Sequence, residues 1–310
     1  MSENFRIIVE EAKKLRLKTE IPPLGKKAVF ISDGKNEIMV YGTFHIKNNP
    51  ASESIRLSKN KSLTYYVWKK NGIPLPGSLY FRNAIEAAAT IEAIKFPAIA
   101  KENSGAKSVN VFPNIKNKGE LLTILPNFKK GLVIQEMLFG KEYRILVYGN
   151  KILGCLNMIL PQIVGDGKHS IRELIENKNK GFGKKIILND KVLSTISKES
   201  YSLNSIPPRD TVICLQNNSC LAEGGTSVDC TDIIHESIKQ LAIKASRLVN
   251  LKLSGVDIIC EDISLDASKQ KIYFLEVNAH PDIYIHYFPS LGEKRNVIRE
   301  ILCDIFKLTN

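Results

Sequence analysis

Three oxygen-bearing side chains interrupt two apolar stretches late in the chain. Asp257 breaks "GVDIIC", and Glu276 and Asn278 break "IYFLEVN". Strand alternation sends Glu276 and Asn278 to one face. Antiparallel pairing of the two stretches, across a loop of about ten residues, can bring Asp257 beside them. Two carboxylates and an amide oxygen are hard ligands of the kind magnesium takes, with water and phosphate oxygens completing the octahedron. Spacing alone leaves the other reading equally open, in which Glu276 faces solvent at a sheet edge.

Two further stretches could hold a nucleotide. Lys101 closes "FPAIAK" and is followed by the small-residue run "ENSGAKS". A lysine at a strand end can direct its ammonium, and the backbone N–H groups after it, at phosphate oxygens; a surface lysine fits the same residues. In "VIQEMLFGKEYRILV" the extended piece Gln135, Glu136, Met137, Leu138 can offer backbone groups to an adenine edge, and Glu142 can accept from ribose hydroxyls. An ordinary hairpin is the alternative. Neither G-x-x-x-x-G-K-[ST] nor G-x-G-x-x-G occurs, so this is not a P-loop or a dinucleotide fingerprint. No Ser/His/Asp triad is recognisable.

The elements that must position these residues alternate without a clean βαβ series. The start reads as a helix and a hairpin turning at Asp33-Gly34. "NKSLTYYVWKKNGIPLPGSLYF" reads as a helix ended by Gly72 and a proline-marked approach to a strand. "NAIEAAATIEAIK" is helical and stops at Phe96-Pro97. Strands follow around Lys101 and through 132–160, with turns at Phe139-Gly140 and Gly149-Asn150. Asp166-Gly167 turns into a helix. Residues 178 to 212 are polar and weakly patterned, an excursion from the core. A helix, the strands of Asp257 and Glu276, and a closing helix complete the chain. Mixed order of this kind fits α+β (mixed α/β).

The order lysine, hinge, aspartate, Glu-x-Asn resembles the ATP-grasp superfamily. The local matches are closest to cyanophycin synthetase and to the ATP-grasp half of bifunctional γ-glutamylcysteine/glutathione synthetases. They are "NKSLTYYVWKKNGIPLP", "FPAIAK", "GKEYRILV", "VGDGKHSIRELIENKN", "EGGTSVDCTDIIHE", "SGVDIICEDIS" and "FLEVNAHPDIYIHYFPSLGEKRNV", in the family's order over residues 58 to 306. The resemblance implies ATP held between two α+β lobes, with a short N-terminal segment over 1–58, a small lobe over 59–133 and a large lobe over 134–310. It implies Lys61 and Lys101 on the phosphates, Gln135 to Leu138 on adenine, Glu142 on ribose, and Asp257, Glu276 and Asn278 on Mg2+. Lys101 and Arg144 are the candidate catalytic cations. The implied chemistry phosphorylates a substrate carboxylate, and an amine then attacks the acyl phosphate. Such a transfer needs positioning and charge neutralisation more than a protein nucleophile.

Candidate substrate residues follow. His286, and His280 before it, flank the end of the metal strand and could orient substrate or move a proton; packed histidines fit equally. Gly224 and Gly225 suit a turn near the phosphates. Arg295 could bind a carboxylate bidentately, or be a surface charge at a helix start. Lys168 and His169, after the Asp166 turn, could line the substrate side. The sequence departs from its relatives at Glu102, beside the lysine, and in "SCLAEGG" with Cys220, Ala222 and Glu223. Arginines expected near Ile159 and Gln216 are absent. These changes point to an acceptor different from those of the relatives, or to a nucleotide-binding protein of weakened activity. A small-molecule kinase on the same fold is the other alternative.

Bulk properties are those of an ordinary soluble globular protein, and a solvated basic surface accounts for the charge as well as any partner does. The 310 residues are 44% hydrophobic and 25% charged, with a net charge of +12. That charge suits anionic partners, but the lysines are not interleaved with aromatics, so nucleic acid is not the expected partner. No apolar run reaches the ~20 residues of a membrane span, and the acid-bearing start argues against a signal peptide. Six scattered cysteines suit reduced thiols in a cytoplasm. The expected partners are a carboxylate and an amine, amino acid or peptide, with a homodimer left open.

Overall fold

In the computed structural model the chain is described over residues 3–23, 28–42, 44–46, 51–104, 111–129, 131–180, 185–216 and 221–308. The run 105–110 after Lys101, and Ser219 and Cys220 of "SCLAEGG", lie outside the described residues. Two units partition the chain: one of residues 1–155, 230–288 and 294–310, the other of 156–229 and 289–293.

The first unit opens with helix α1 (Glu3–Lys14) and an antiparallel sheet of β1 (Lys18–Glu20), β2 (Ala28–Ser32), β3 (Glu37–Tyr41) and β4 (His45–Ile46). The β2–β3 turn forms where expected. The Asp33 carboxylate accepts from the backbone N–H groups of Lys35 and Asn36, and Gly34 takes the left-handed φ of +92°.

Helices α2 (Ser52–Lys59) and α3 (Lys61–Lys70) come next, with Asn60 between them capping α3 by accepting from Leu63 N–H. A small antiparallel sheet then assembles from β5 (Ser78–Phe81), β6 (Ala98–Glu102), β7 (Val111–Ile115) and β8 (Leu132–Glu136) in the order β5-β8-β6-β7, with α4 (Ala84–Ala89) and α5 (Lys118–Ile124). Ala98, Ala100, Leu132 and Ile134 bury one face of it in a core with Leu121 and Leu125. Alternation leaves Ile99, Lys101, Val133 and Gln135 on the other face. The 133/134 boundary expected from sequence falls inside β8.

A larger sheet holds β9 (Lys141–Tyr148) and the start of β10 (Lys151–Ile159). The second unit contains β11 (Gln162–Val164), α6 (Ile171–Lys180), α7 (Asp190–Lys198), β12 (Val212–Cys214) and β13 (Thr226–Asp229). The chain returns to the first unit through α8 (Glu236–Leu248), β14 (Leu253–Cys260), β15 (Ile272–Asn278), α9 (Tyr284–Tyr287) and α10 (Val297–Phe306). In the first unit β14 pairs antiparallel with both β9 and β15. Tyr143, Ile145, Val147, Val256 and Ile258 pack one face against Tyr65 and Trp68 of α3 and Ile238 and Ala242 of α8. On the other face Leu146 and Tyr148 join a core with Phe5, Ile8, Ile298 and Ile301. Glu142 and Arg144 share that second face by alternation and lie half-buried.

Two expectations change. The stretch around Phe139-Gly140 is not a hairpin, since β8 and β9 belong to different sheets and residues 137–140 carry the chain between them. Gly140 makes the crossing possible: its φ is +142°, and a Cβ there would lie 2.8 Å from the Cys260 carbonyl oxygen. The segment 178–212 is likewise no loose excursion. Helix α7 lies within it, and Ile186, Val192 and Ile196 join Ile163, Ile171, Ile175, Ile213 and Leu215 in a core belonging to the second unit. Val192 and Ile196, four apart, supply the apolar face of α7; their polar neighbours hid it. Among the described residues five cysteines are free thiols, four of them buried, and no helix is long and apolar enough to cross a membrane.

Candidate active site

Strand pairing brings the three oxygen-bearing residues together. Asp257 stands opposite Glu276, and Gly255 opposite Asn278. The register contains one irregularity, and it decides which side chains meet. Ile258 pairs with Phe274 while Asp257 pairs with Glu276, so Leu275 is an extra residue without a partner in β14. A regular ladder would set Leu275 opposite Asp257 and Glu276 opposite Val256, a core position. The bulge keeps Phe274 and Val277 in the core and turns Glu276 to the face of Asp257.

Asp257 is buried, with a side chain 4% exposed. Its Oδ1 accepts from Arg144 Nε at 2.6 Å and its Oδ2 from Arg144 Nη2 at 2.7 Å. Burial pushes the Asp257 carboxyl up to about 7, against the lowering effect of Arg144. Glu276 is drawn the other way. Its burial opposes ionisation, but the hydrogen bond with Asp257 and the charges of Lys61, Arg144 and Lys101 hold its carboxyl below the usual range. Lys61 Nζ lies 3.9 Å from Glu276 Oε2.

Asn278 Nδ2 donates to Glu276 Oε1 at 3.2 Å and more weakly to Asp257 Oδ2 at 3.4 Å. The positive end of an amide dipole thus lies between two carboxylates, the position a cation with the same two neighbours would take. A half-turn of the amide presents Oδ1 there instead, completing an all-oxygen set that fits a hard divalent ion. Among the described residues there is no cluster of three or more His, Cys, Asp or Glu side chains suited to a metal, so such an ion would depend on the amide as well as the two acids.

The small sheet presents Lys101 and Gln135 on its uncored face, where Lys101 Nζ donates to Gln135 Oε1 at 2.7 Å. Desolvation lowers the Lys101 ammonium to about 8, with Glu276 opposing and Lys61 adding to the shift. Lys61 opens α3. Its N–H donates to Asn103 O at 3.1 Å, and the next N–H, of Ser62, donates to Asn103 Oδ1 at 2.9 Å. Asn103 thus ties the strand end after Lys101 to the start of the helix bearing Lys61. Nothing in its spacing announces that role.

Along 135–138 several groups are already engaged. Glu136 N–H donates to Gly77 O, and Met137 N–H to Pro97 O. The Glu136 carboxylate turns back to accept from Gly77 N–H at 2.6 Å. Leu138 is half-buried at the end of the piece. Glu142 stands opposite Ile259, two residues before Arg144, and its charge helps hold the Arg144 guanidinium protonated.

The candidate substrate residues are less accessible. His286 is fully buried and pressed on Gly154, where a Cβ would overlap His286 Nδ1. Arg295 already grips Asp232 through Nη1 at 3.1 Å and Nη2 at 2.6 Å. In the second unit Gly224 has φ +95° and packs on Ile186, with Gly225 half-buried beside it. Asp166 accepts from the N–H groups of Lys168 and His169, and its Oδ2 lies 2.6 Å from His169 Nδ1.

Comparison with known proteins adds an independent line. Residues 58–163 and 217–287 match the RimK-like ATP-grasp domain. The glutathione biosynthesis bifunctional protein GshAB of Clostridium perfringens is 29% identical over 317 residues, covering 97% of this chain and 40% of that protein. GshAB of Listeria innocua is 29% identical over 269 residues, covering 82% of this chain and 35% of that protein. The crystal structure of a bifunctional glutathione synthetase from Pasteurella multocida aligns with a TM-score of 0.74 at 25% identity, over 100% of this chain and 44% of that one. The chain thus spans less than half the length of these relatives.

Proposed function

The chain belongs to the RimK-like ATP-grasp family, and on that premise we propose that it is an ADP-forming carboxylate–amine ligase acting on an amino acid or short peptide. One observation carries the reading. Asp257, Glu276 and Asn278 share one face, with Lys61 against Glu276, and Lys101 lies within the field of the same carboxylate. Two carboxylates, an amide and two ammonium groups form a receptor for a metal-bound polyphosphate.

In this reading Lys61 and Lys101 bind the phosphate oxygens, and Lys101 exchanges its bond to Gln135 for one to phosphate. The Leu138 N–H and the hinge carbonyls face adenine, because the N–H groups of Glu136 and Met137 serve Gly77 and Pro97. Glu142 receives the ribose hydroxyls. Asp257, Glu276 and the Asn278 amide oxygen would hold magnesium. When bound, the ion supplies Lewis-acid charge that steadies the transferring phosphoryl group. Arg144 keeps the Asp257 carboxylate ionised and oriented. The γ-phosphoryl group passes to a substrate carboxylate oxygen, and the amine nitrogen attacks the resulting acyl phosphate, expelling phosphate. His286 and Arg295 would reach substrate only after moving from Gly154 and Asp232.

Incubation with Mg-ATP and pooled amino acids and dipeptides, with ADP release followed and products weighed by mass spectrometry, tests the assignment. The expected result is ADP in step with an amide product, dependent on both acid and amine. A stable phosphorylated product formed without amine would make the protein a kinase, and ADP release indifferent to every pool would remove the ligase reading.

A further inference from the structure

We propose that the Tyr65 hydroxyl is a positioning group for the metal-holding carboxylate of Glu276, acting through the extra residue of the β15 bulge. The inference rests on the metal reading of Asp257, Glu276 and Asn278.

Tyr65 lies in the middle of α3, 3% exposed, and its hydroxyl donates to the Leu275 carbonyl oxygen at 2.8 Å. Leu275 is the residue without a partner in β14. A strand that admits an extra residue strands that residue's backbone groups outside the ladder, and a screened carbonyl without a donor is unfavourable. Tyr65 provides the donor. One residue earlier, Phe274 N–H is anchored outside the ladder by the Pro74 carbonyl at 2.9 Å. The free edge of β15 is thus fastened at two consecutive residues by α3 and the loop that follows it.

The phenol is itself held. Its ring stacks on Trp68 at 6.1 Å and 21° and meets Tyr80 edge-on at 6.1 Å. Trp68 in turn donates Nε1–H to Ala245 O at 3.0 Å and packs edge-on against Phe274. The hydroxyl therefore projects from a fixed ring to a fixed carbonyl. The same helix begins with Lys61, whose ammonium lies 3.9 Å from Glu276 Oε2, so α3 sets both the counter-charge and the backbone beneath the carboxylate. Losing the hydroxyl frees β15 to slip towards a regular ladder, which would carry Glu276 to the core position opposite Val256. Tyr65 need touch neither nucleotide nor ion to matter.

Tyr65→Phe in the full chain tests this, since it keeps the ring packing and removes only the donor. ADP affinity is measured by calorimetry with Mg2+ and with EDTA, and the spectrum of bound Mn2+ by electron paramagnetic resonance. The expected result is metal-supported affinity weakened about tenfold, the range typical for partners that orient a ligand, with affinity in EDTA unchanged and an altered Mn2+ spectrum. Wild-type affinity with Mg2+ would overturn the proposal. So would an equal loss with and without metal, which would mean general loosening. Glu276→Gln is measured alongside. If it retains wild-type metal dependence, the metal reading itself fails; if it loses that dependence while Tyr65→Phe does not, only the Tyr65 proposal fails.

Discussion

Arg144 and Asp257 are direct neighbours across β9 and β14, and the guanidinium meets the carboxylate with two parallel bonds of 2.6 and 2.7 Å. A fork of this kind fixes the carboxylate plane as well as its charge. It also means that Arg144 is committed to orienting an acid; Asp257 Oδ1 keeps a lone pair, and turning the Asn278 amide would free one on Oδ2.

Removing that fork should be costly. Arg144→Met leaves a buried carboxylate without its counter-charge and should lower stability by about 3 to 5 kcal/mol near pH 8. The sign of the pH dependence follows from the raised carboxyl of Asp257. A raised folded pKa contributes stability below the unfolded value of about 4 that is lost as pH rises through the folded one. The variant should therefore recover part of the loss at pH 5, where Asp257 takes up its proton. Urea unfolding at the two pH values measures both effects.

Lys101 carries the opposite signature. Its ammonium, lowered to about 8 by desolvation, is the form that would meet phosphate. Nucleotide affinity should fall by up to about tenfold per pH unit above that value. The stability of the free protein should rise over the same interval, because a depressed lysine favours the fold above its unfolded value and loses that contribution as pH falls. Parallel titrations of ADP binding and thermal unfolding separate the trends, and matching slopes of one sign would refute the assignment.

Glu276→Gln and Lys101→Ala should each reduce ligase turnover by at least about 100-fold while leaving the circular dichroism spectrum unchanged. Full activity in either variant removes that residue from the machinery.

Gly140→Ala should destabilise the protein by about 1 to 3 kcal/mol, since the added carbon meets the Cys260 carbonyl at 2.8 Å and φ is +142°. The position lies two residues after the proposed adenine-binding piece 135–138, so the KM for ATP should rise more than kcat falls. Steady-state kinetics and urea unfolding check the two parts.

Residue types and spacing were enough to bring Asp257, Glu276 and Asn278 into one hypothesis, because each breaks an apolar strand and antiparallel pairing follows from a short connection. The bulge was not legible. Period-two reading assumes an uninterrupted ladder, and a partnerless Leu275 looks like any other leucine until the register is known. The connection after β8 was ambiguous for a related reason: four residues ending in a glycine serve a hairpin or a crossing equally well, and only the separate partners of β8 and β9 decide. Arg144 was visible as a cation near the site, yet its commitment to Asp257 depends on a cross-strand register between residues 113 apart. The core of the second unit escaped notice because its apolar residues are thinly spread among polar ones.

Trp68 is the single tryptophan of the chain. It is fully enclosed, lies edge-on to the phenylalanine before the bulge, and stacks on the tyrosine that fastens it. The protein therefore carries its own optical probe beside the bulge of β15. Indole emission should report any slip of β15 directly, without a dye, a label or a coupled assay.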